Sequence, residues 1–551
     1  MKLNFLALGL MQILCVTSLS GQSQTEAFFE NLLQTHDIPG LSVAIIENGK
    51  ILYHAGHGVR ANDTQVPVST ETIFSAASLS KLVFAYAVMK LVEAGDLDLD
   101  KPLHEYWEYP DLEHDERYKR ITARRVLSHS SGLPNWRRGQ LATEFEPGER
   151  FQYSGEGFVY LMKVVEHLQG QEINQLAEEL VYQPLGMTNT SYTWEDRFEE
   201  NYAAPHDFTG FTLAKRKRSE SNVAYSLQTT AEDYAKFMVA VMNGEGLKKK
   251  NTRTMLSGQI PVTEEGNLFW SLGWGIQKTE MGKAIWQWGD NGTFKAFTMA
   301  YPEKGKGVVF LANTENGLRI VPEVVKYVFS DEECPAFDWM DYQVEDAPHQ
   351  ALLKSILQKG YDKAIVEFLH ENQVHHDTTL ISQSRMRRVG DRLMQEKRYA
   401  DAQKVYLSNV LAFASFEAYV QYADACLQSG EVAEAKSYYQ KAIALKPGNE
   451  RVQTVLDQLT PATNQANVEF RLNEGRYRHA RLITLVGDFN NWEPITHLFS
   501  KQNGEWICRI ALPPGTYHYQ VVIDGVWTLD PENPHTGRND QGRVCSVLMV
   551  P

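Results

Sequence analysis

Ser75-Ala76-Ala77-Ser78-Leu79-Ser80-Lys81 decides the reading of this chain, together with the run Leu82-Val83-Phe84-Ala85-Tyr86-Ala87-Val88-Met89-Lys90-Leu91-Val92 that follows it. The run is rich in helix formers and apolar on most faces, which predicts a buried helix of about four turns ending near Gly95. Ser78 and Lys81 form a Ser-x-x-Lys tetrad. One helical turn apart, they share a face. Ser78 is expected in the first turn, where unpaired N–H groups and the positive end of the helix dipole favour a developing negative charge. A serine hydroxyl is a poor nucleophile until a base takes its proton, and a lysine among apolar residues has its pKa depressed and can serve as that base. The tetrad recurs by chance in long chains, so the rest of the sequence has to decide.

At 551 residues the chain is too long for one core, and two to four domains are expected. The formal net charge of −15 argues against a nucleic-acid partner. Lys2, the apolar stretch Leu3 to Val16 and the small residues Thr17 to Gly21 read as a signal peptide over residues 1–21, so the mature protein is expected to be exported, periplasmic or secreted. No later segment is apolar for long enough to cross a membrane, so no membrane span is expected after cleavage. Cys334, Cys426, Cys508 and Cys545 lack the spacing of a zinc site. Cys508 and Cys545 fall on strands of one module, where either a disulfide or two buried thiols would fit. No metal or other cofactor is called for.

Around the tetrad, Gly40 to Ile46, Glu47-Asn48-Gly49-Lys50 and Ile51 to Tyr53 read as a β-hairpin with an Asn-Gly turn. A mostly helical region follows to about residue 240. Strands return at Gly273 to Ile276, Ala284 to Trp288, Lys295 to Ala300 and Gly307 to Asn313. A strand pair, helices and then a meander predict an α+β domain over residues 22–332 whose first and last strands are neighbours.

These residues resemble the serine β-lactamase-like and penicillin-binding-protein-like hydrolases, in the branch of class C β-lactamases, D-alanyl-D-alanine carboxypeptidases and family VIII esterases. Ser78 and Lys81 match the Ser-x-x-Lys motif. Tyr153-Ser154-Gly155 matches Tyr-x-Asn, His129 to Pro134 matches His-Thr-Ser-Gly-Leu-Pro, and Pro184 to Met187 is Pro-Leu-Gly-Met verbatim. Gln287-Trp288-Gly289 stands at the third motif. The resemblance implies Ser78 as acyl-accepting nucleophile, with Lys81 and Tyr153 sharing the base work and Tyr153 returning the proton to the leaving group. It implies an oxyanion hole from the N–H groups of Ser78 and Asp290, and substrate contacts at Gly155, Gln287, Trp288 and Gly289. A phenol of ordinary pKa needs the lysine ammonium beside it to ionise. Trp274, Trp286 and Trp288 are read either as cleft lining or as core.

Two departures bear on substrate. Gly155 lacks the amide of the family's asparagine. Gln287 replaces the cation or imidazole that helps hold a substrate carboxylate, and a neutral amide cannot neutralise that charge. An esterase, amidase or transesterase acting by an acyl-enzyme fits better than a β-lactamase. The alternatives are a degenerate binding or scaffold protein, and a penicillin-recognising carboxypeptidase or β-lactamase.

Residues 345–460 read as helical. Gly390, Ala402 and Tyr406 recur 33 positions later as Ala423, Ala435 and Tyr439. Small and large residues at these places resemble tetratricopeptide repeats, with Gly360-Tyr361 as a third, decayed copy. The stretch reads as a rigid spacer or as a groove for a protein partner. Residues 465–551 carry short strands separated by Asn503-Gly504, Pro513-Pro514-Gly515 and Asp524-Gly525, which predict an all-β sandwich. Gly487 to Trp492, Leu512 to Tyr519 and Asp524 to Pro531 resemble the glycogen-binding, early-set module of AMP-activated kinase β subunits. The resemblance implies that Trp492 and Trp527 stack on sugar rings of an α-glucan or another polysaccharide. Gln520 stands where such binders have lysine, and Cys545 or Ser546 where they have asparagine. The alternative is a structural sandwich packed on the repeats.

Overall fold

A computed structural model describes residues 23–330, 332–342, 346–375, 382–459, 468–512 and 515–550. The proposed signal peptide lies outside these residues, as do Pro513 and Pro514 of one expected turn. The chain divides into two compact units, 1–345 and 346–551.

The first unit is built on an antiparallel sheet. Strands β1 (Gly40–Glu47) and β2 (Lys50–Gly58) form the expected hairpin, with Asn48 and Gly49 both at positive φ as a two-residue turn of this hand requires. β3 (Phe74–Ala77) leads into helix α1 (Ser80–Ala94), which ends at Gly95 in the left-handed conformation. α2 (Gly155–Gln169), β4 (Leu227–Thr229) and α3 (Ala231–Asn243) follow. The last strands are β5 (Ile260–Pro261), β6 (Leu268–Trp270), β7 (Gly275–Thr279), β8 (Gly282–Asp290), β9 (Lys295–Tyr301) and β10 (Lys306–Ala312). The sheet order is β2-β1-β10-β9-β8-β7-β6-β5, so the first hairpin and the last strand are neighbours, Val43 lying opposite Phe310. β3 pairs separately with β4.

One face of the sheet packs on α1 and the helical region. Leu82, Val83, Phe84, Ala85 and Val88 are at most 1% exposed there, so α1 is apolar all round because it is enclosed all round. The other face is covered by α4 (Val321–Phe329), with Val324, Val325 and Phe329 on Val308 and Phe310. A short helix, α5 (Pro335–Met340), follows on this face.

The second unit begins with helix pairs: α6 (Pro348–Lys359) with α7 (Tyr361–His375), α8 (Gln383–Gln395) with α9 (Tyr399–Phe413), and α10 (Phe416–Gln428) with α11 (Val432–Leu445). Helix α12 (Glu450–Leu459) closes the stack. The small residues allow the close approach expected of them: a Cβ on Gly390 would lie 2.3 Å from the Tyr406 ring, and Ala402, Ala423 and Ala435 are fully buried. Each long repeat also carries a tyrosine-to-aspartate hydrogen bond, Tyr406 to Asp391 at 2.6 Å and Tyr439 to Asp424, which the small-residue pattern did not show.

The C-terminal strands are β11 (Val468–Asn473), β12 (Ile483–Gly487), β13 (Ser500–Gln502), β14 (Glu505–Ile510), β15 (Gly515–Ile523), β16 (Val526–Thr528), β17 (Thr536–Arg538) and β18 (Val544–Val550). They form two sheets, β11-β14-β13 and β12-β15-β18-β17, with β16 added to β15. Phe470, Leu485, Trp506, Tyr519 and Val521 fill the space between. Cys508 and Cys545 are on different sheets and are free, buried thiols, as are Cys426 and, part-buried, Cys334.

Candidate active site

Ser78 sits in the turn between β3 and α1, one residue before the N-cap Leu79, rather than within the first helical turn. The displacement has a local cause. Ala77 is held at φ +47°, a left-handed conformation that costs an alanine on the order of 1 kcal/mol and persists only where surroundings enforce it. Here Ser80 enforces it: its hydroxyl donates to the Ala77 carbonyl at 2.5 Å and accepts from the Leu227 N–H at 2.9 Å. The hydroxyls of Tyr192 and Tyr234 donate to the carbonyls of Ser80 and Leu79. The sharp turn projects Ser78 away from the helix while Lys81 remains inside its first turn.

Lys81 Nζ lies 3.1 Å from Ser78 Oγ and donates to the Ala224 carbonyl at 2.7 Å. Lys81 is 1% exposed, and burial lowers its pKa from 10.5 to about 7. Near neutral pH a large fraction is therefore the free amine, able to accept the serine proton. Tyr153 stands beside it, with Nζ 4.8 Å from the ring centroid. Burial pushes the phenol above its usual pKa, although hydrogen bonds from Ser78 and Gln287 oppose the rise. Tyr153 is thus a phenol at neutral pH. Burial opposes the ionisation expected of this phenol beside Lys81, while Ser78, Lys81 and Tyr153 stand together.

Gln287 is fully buried, and its Nε2 donates to the Tyr153 hydroxyl at 2.7 Å and, more weakly, toward the Ser78 carbonyl at 3.5 Å. The Nε2 of this side chain, expected to meet substrate, is engaged by the tyrosine, while its Oε1 has no hydrogen-bond partner among the described residues. Gly289 sets the distance between β8 and the nucleophile strand. A Cβ there would lie 2.5 Å from the Ala76 carbonyl oxygen, so only glycine lets the two backbones meet. Asp290, the last residue of β8, forms an ion pair with Lys295 at 2.5 Å and accepts a hydrogen bond from Tyr342. Trp288 is half-buried between the rings of Tyr153 (4.8 Å) and Trp339 (5.8 Å). Trp270, Trp274 and Trp286 are wholly buried core residues.

Gly155 opens α2 under Trp136 and Asn135. A Cβ there would come within 2.7 Å of the Trp136 ring and 2.8 Å of the Asn135 carbonyl. The asparagine side chain of the family pattern has no room, and the Ala224 carbonyl serves as acceptor for the Lys81 ammonium. The cleft beyond Tyr153, about 600 Å³, is lined by Trp136, Arg137, Glu144 and Gln152 among others. Trp136 meets Tyr225 edge-on at 5.5 Å.

His129 is a residue whose role the sequence did not disclose. It is fully buried at φ +53°, its ring stacks on Tyr153 at 4.2 Å, and its Nδ1 accepts the Ser154 N–H at 2.9 Å. Burial, and the nearby Lys81 charge, hold its pKa well below the ordinary value, so it is a neutral ring that positions the tyrosine. The only signal was its place at the head of the His129–Pro134 signature.

In the C-terminal module Trp492 and Trp527 lie with ring planes 18° apart and centroids 6.5 Å apart, Trp527 being 39% exposed. The Arg543 guanidinium is 5.7 Å from the Trp527 ring. Gln520 is buried and donates to the Val544 carbonyl, tying β15 to the start of β18. Ser546 is buried and accepts the Asp530 N–H, and Cys545 is wholly buried.

Comparison with known proteins bears on the family and the fold. Residues 416–449 match the tetratricopeptide repeat, and residues 467–551 match the glycogen recognition site of AMP-activated protein kinase. The chain is 24% identical over 335 residues to Protein flp of Staphylococcus aureus (strain COL), a match covering 56% of this chain and 66% of that protein. It is 23% identical over 340 residues to Penicillin-binding protein 4* of Bacillus subtilis (strain 168), covering 55% of this chain and 74% of the relative. The octameric penicillin-binding protein homologue from Pyrococcus abyssi has a similar fold, with TM-score 0.51 and 23% identity over 61% of this chain and 81% of that one. Residues 25–329 match the family described as Beta-lactamase, and the chain belongs to that family.

Proposed function

We propose that the protein is an exported serine hydrolase that cleaves an ester or amide through an acyl-enzyme at Ser78, as an esterase rather than a β-lactamase, and that its C-terminal module brings it to carbohydrate. The observation that carries the reading is the buried Lys81 amine 3.1 Å from Ser78 Oγ, with a pKa near 7.

The chemistry follows from the residues. Lys81 takes the proton as Ser78 Oγ attacks the carbonyl carbon. Charge collects on the carbonyl oxygen, for which the N–H groups of Ser78 and Asp290 are the proposed donors. Each such donor typically contributes about 2.7–4 kcal/mol. Tyr153 gives its proton to the departing alcohol or amine and is resupplied from Lys81. Water then enters by the same route in reverse and releases the acid. Gln287, engaged with Tyr153, leaves no cation at the third motif for the carboxylate of a penicillin. That supports the esterase reading.

Trp492 and Trp527 present two nearly parallel indoles, which suits stacking on successive sugar rings of a glucan.

The test is turnover of short-chain p-nitrophenyl esters beside a chromogenic cephalosporin, by the mature protein and by Ser78→Ala. Ester hydrolysis lost in the variant, with little cephalosporin turnover, supports the proposal. Equal and negligible turnover by both proteins would refute it and favour a binding role.

A further inference from the structure

Trp136 is 45% exposed, yet its neighbours in the chain are fixed. Before it, the side-chain oxygen and the carbonyl of Asn135 both accept the Gly155 N–H at 3.0 Å, at the start of α2. After it, Arg137 donates to the buried Glu156 carboxylate at 2.8 and 3.1 Å and to Asp111 at 2.5 Å. An indole presented this way, on a held backbone at the rim of a cleft, is a preorganised platform for a ring.

The platform stands at the proposed reaction centre. A Cβ on Gly155 would run into the Trp136 ring at 2.7 Å, so the indole fills the space that the family's asparagine side chain would take. Gly155 is two residues beyond Tyr153, so their Cα atoms are within about 7 Å of each other. The Tyr153 hydroxyl bonds to Ser78 and Gln287. Trp136 also meets Tyr225, whose neighbour Ala224 holds Lys81 Nζ through its carbonyl.

Trp136 and Tyr153 line one cleft of about 600 Å³, within the ~300–1,000 Å³ of small-molecule sites. Its remaining lining is mostly polar and includes Arg138, Gln140, Glu144 and Gln152, with Gln152 donating to Glu144 at 2.5 Å. One indole among amide, carboxylate and guanidinium groups matches a sugar ring, whose C–H face is apolar and whose hydroxyls both donate and accept. An alkyl or aryl group in the same place would strip water from these polar groups and return no hydrogen bond.

We infer that Trp136 is a specificity-determining residue and that the substrate is an O-acyl sugar whose ring stacks on the indole. The inference rests on the acyl-enzyme reading. Under it, the carbonyl carbon bonds to Ser78 Oγ, the bond to the sugar oxygen breaks, and that oxygen takes the Tyr153 proton. Water then releases the acid. Tyr153 both lines the cleft and supplies that proton, so the sugar is the departing alcohol.

Acetate release by the full mature chain tests it. The monoacetates of methyl glucoside, galactoside and xyloside are compared with cyclohexylmethyl acetate, a ring without hydroxyls, and with ethyl acetate, which has no ring. The best sugar ester is expected to exceed both alkyl esters at least about tenfold in kcat/KM. Trp136→Ala should lower the ratio of sugar ester to ethyl acetate at least about tenfold, and Trp136→Phe, which keeps a ring face, should lower it less. Ser78-dependent turnover with no sugar preference, or equal losses on all esters in Trp136→Ala, overturns the sugar platform and leaves the hydrolase reading intact. Cyclohexylmethyl acetate cleaved as well as the sugar esters overturns it too. If no ester is turned over, calorimetric titration of the same sugar esters into Ser78→Ala carrying Trp492→Ala and Trp527→Ala decides separately. Heat abolished by adding Trp136→Ala upholds the platform, and heat absent or indifferent to Trp136 overturns it.

Discussion

Lys81 Nζ is 3.1 Å from Ser78 Oγ and 2.7 Å from the Ala224 carbonyl, with no carboxylate among the described residues paired with its charge. Under the proposed mechanism the active form is the free amine, so kcat/KM is expected to rise with pH through about 7 and then level off. Tyr153, raised above the ordinary phenol range, keeps its proton and adds no second limb at neutral pH. A pH–rate profile on a neutral ester checks this, and a flat profile between pH 5.5 and 8.5 would refute it.

The same lysine burdens the fold. Folding lowers its pKa from 10.5 to about 7, so between those values the unfolded chain binds more protons and stability rises with pH. At pH 7, Lys81→Met should therefore melt at least about 2 °C above the natural protein. Activity should fall at least about a thousandfold. Thermal unfolding at pH 7 and 9.5 measures both the gain and its expected shrinkage at the higher pH.

Gln287 donates to the Tyr153 hydroxyl, and under the proposed mechanism it acts through that contact. Gln287→Glu removes the Nε2 donor at 2.7 Å and should lower kcat about 10- to 100-fold with KM within twofold. Were Gln287 a substrate contact, KM would rise instead. Steady-state kinetics separate the two.

Gly155→Ala places a methyl group against the Trp136 ring and the Asn135 carbonyl. Overpacking of this kind costs about 1–3 kcal/mol. Denaturant unfolding should show the loss. Trp136→Ala should recover part of it, since the ring is one of the two obstacles.

Trp492→Ala and Trp527→Ala should each weaken retardation on a soluble α-glucan about five- to tenfold, without altering hydrolysis of a small ester. Retention unchanged in both variants would rule out the paired indoles as the sugar platform.

Much of this was legible in the sequence, for identifiable reasons. The Asn48-Gly49 turn and the apolar run after Lys81 are local signals, and the hairpin and α1 followed from them. Gly390 with Tyr406 betrayed the repeats because close helix packing demands a small residue opposite a large one. Contacts distant in sequence stayed hidden. Nothing near Gln287 shows that its amide points at a tyrosine 134 positions earlier, and nothing near Gly155 shows that Trp136 fills the vacated space.

The contacts of Trp339 and Tyr342 bear on how the hydrolase can be cut free of the rest. The matched family region stops at residue 329, and a fragment ended there would look complete by sequence. Yet Trp339 covers Trp288, Trp286 and Phe151, and the Tyr342 hydroxyl holds the Asp290 carboxylate. Excised at residue 329, the fragment would expose an indole wall and leave the Asp290 carboxylate to Lys295 alone. Extended past Tyr342, it would carry its own outer wall. Trp339 and Tyr342 thus belong with the hydrolase-like fold although they lie beyond the matched region.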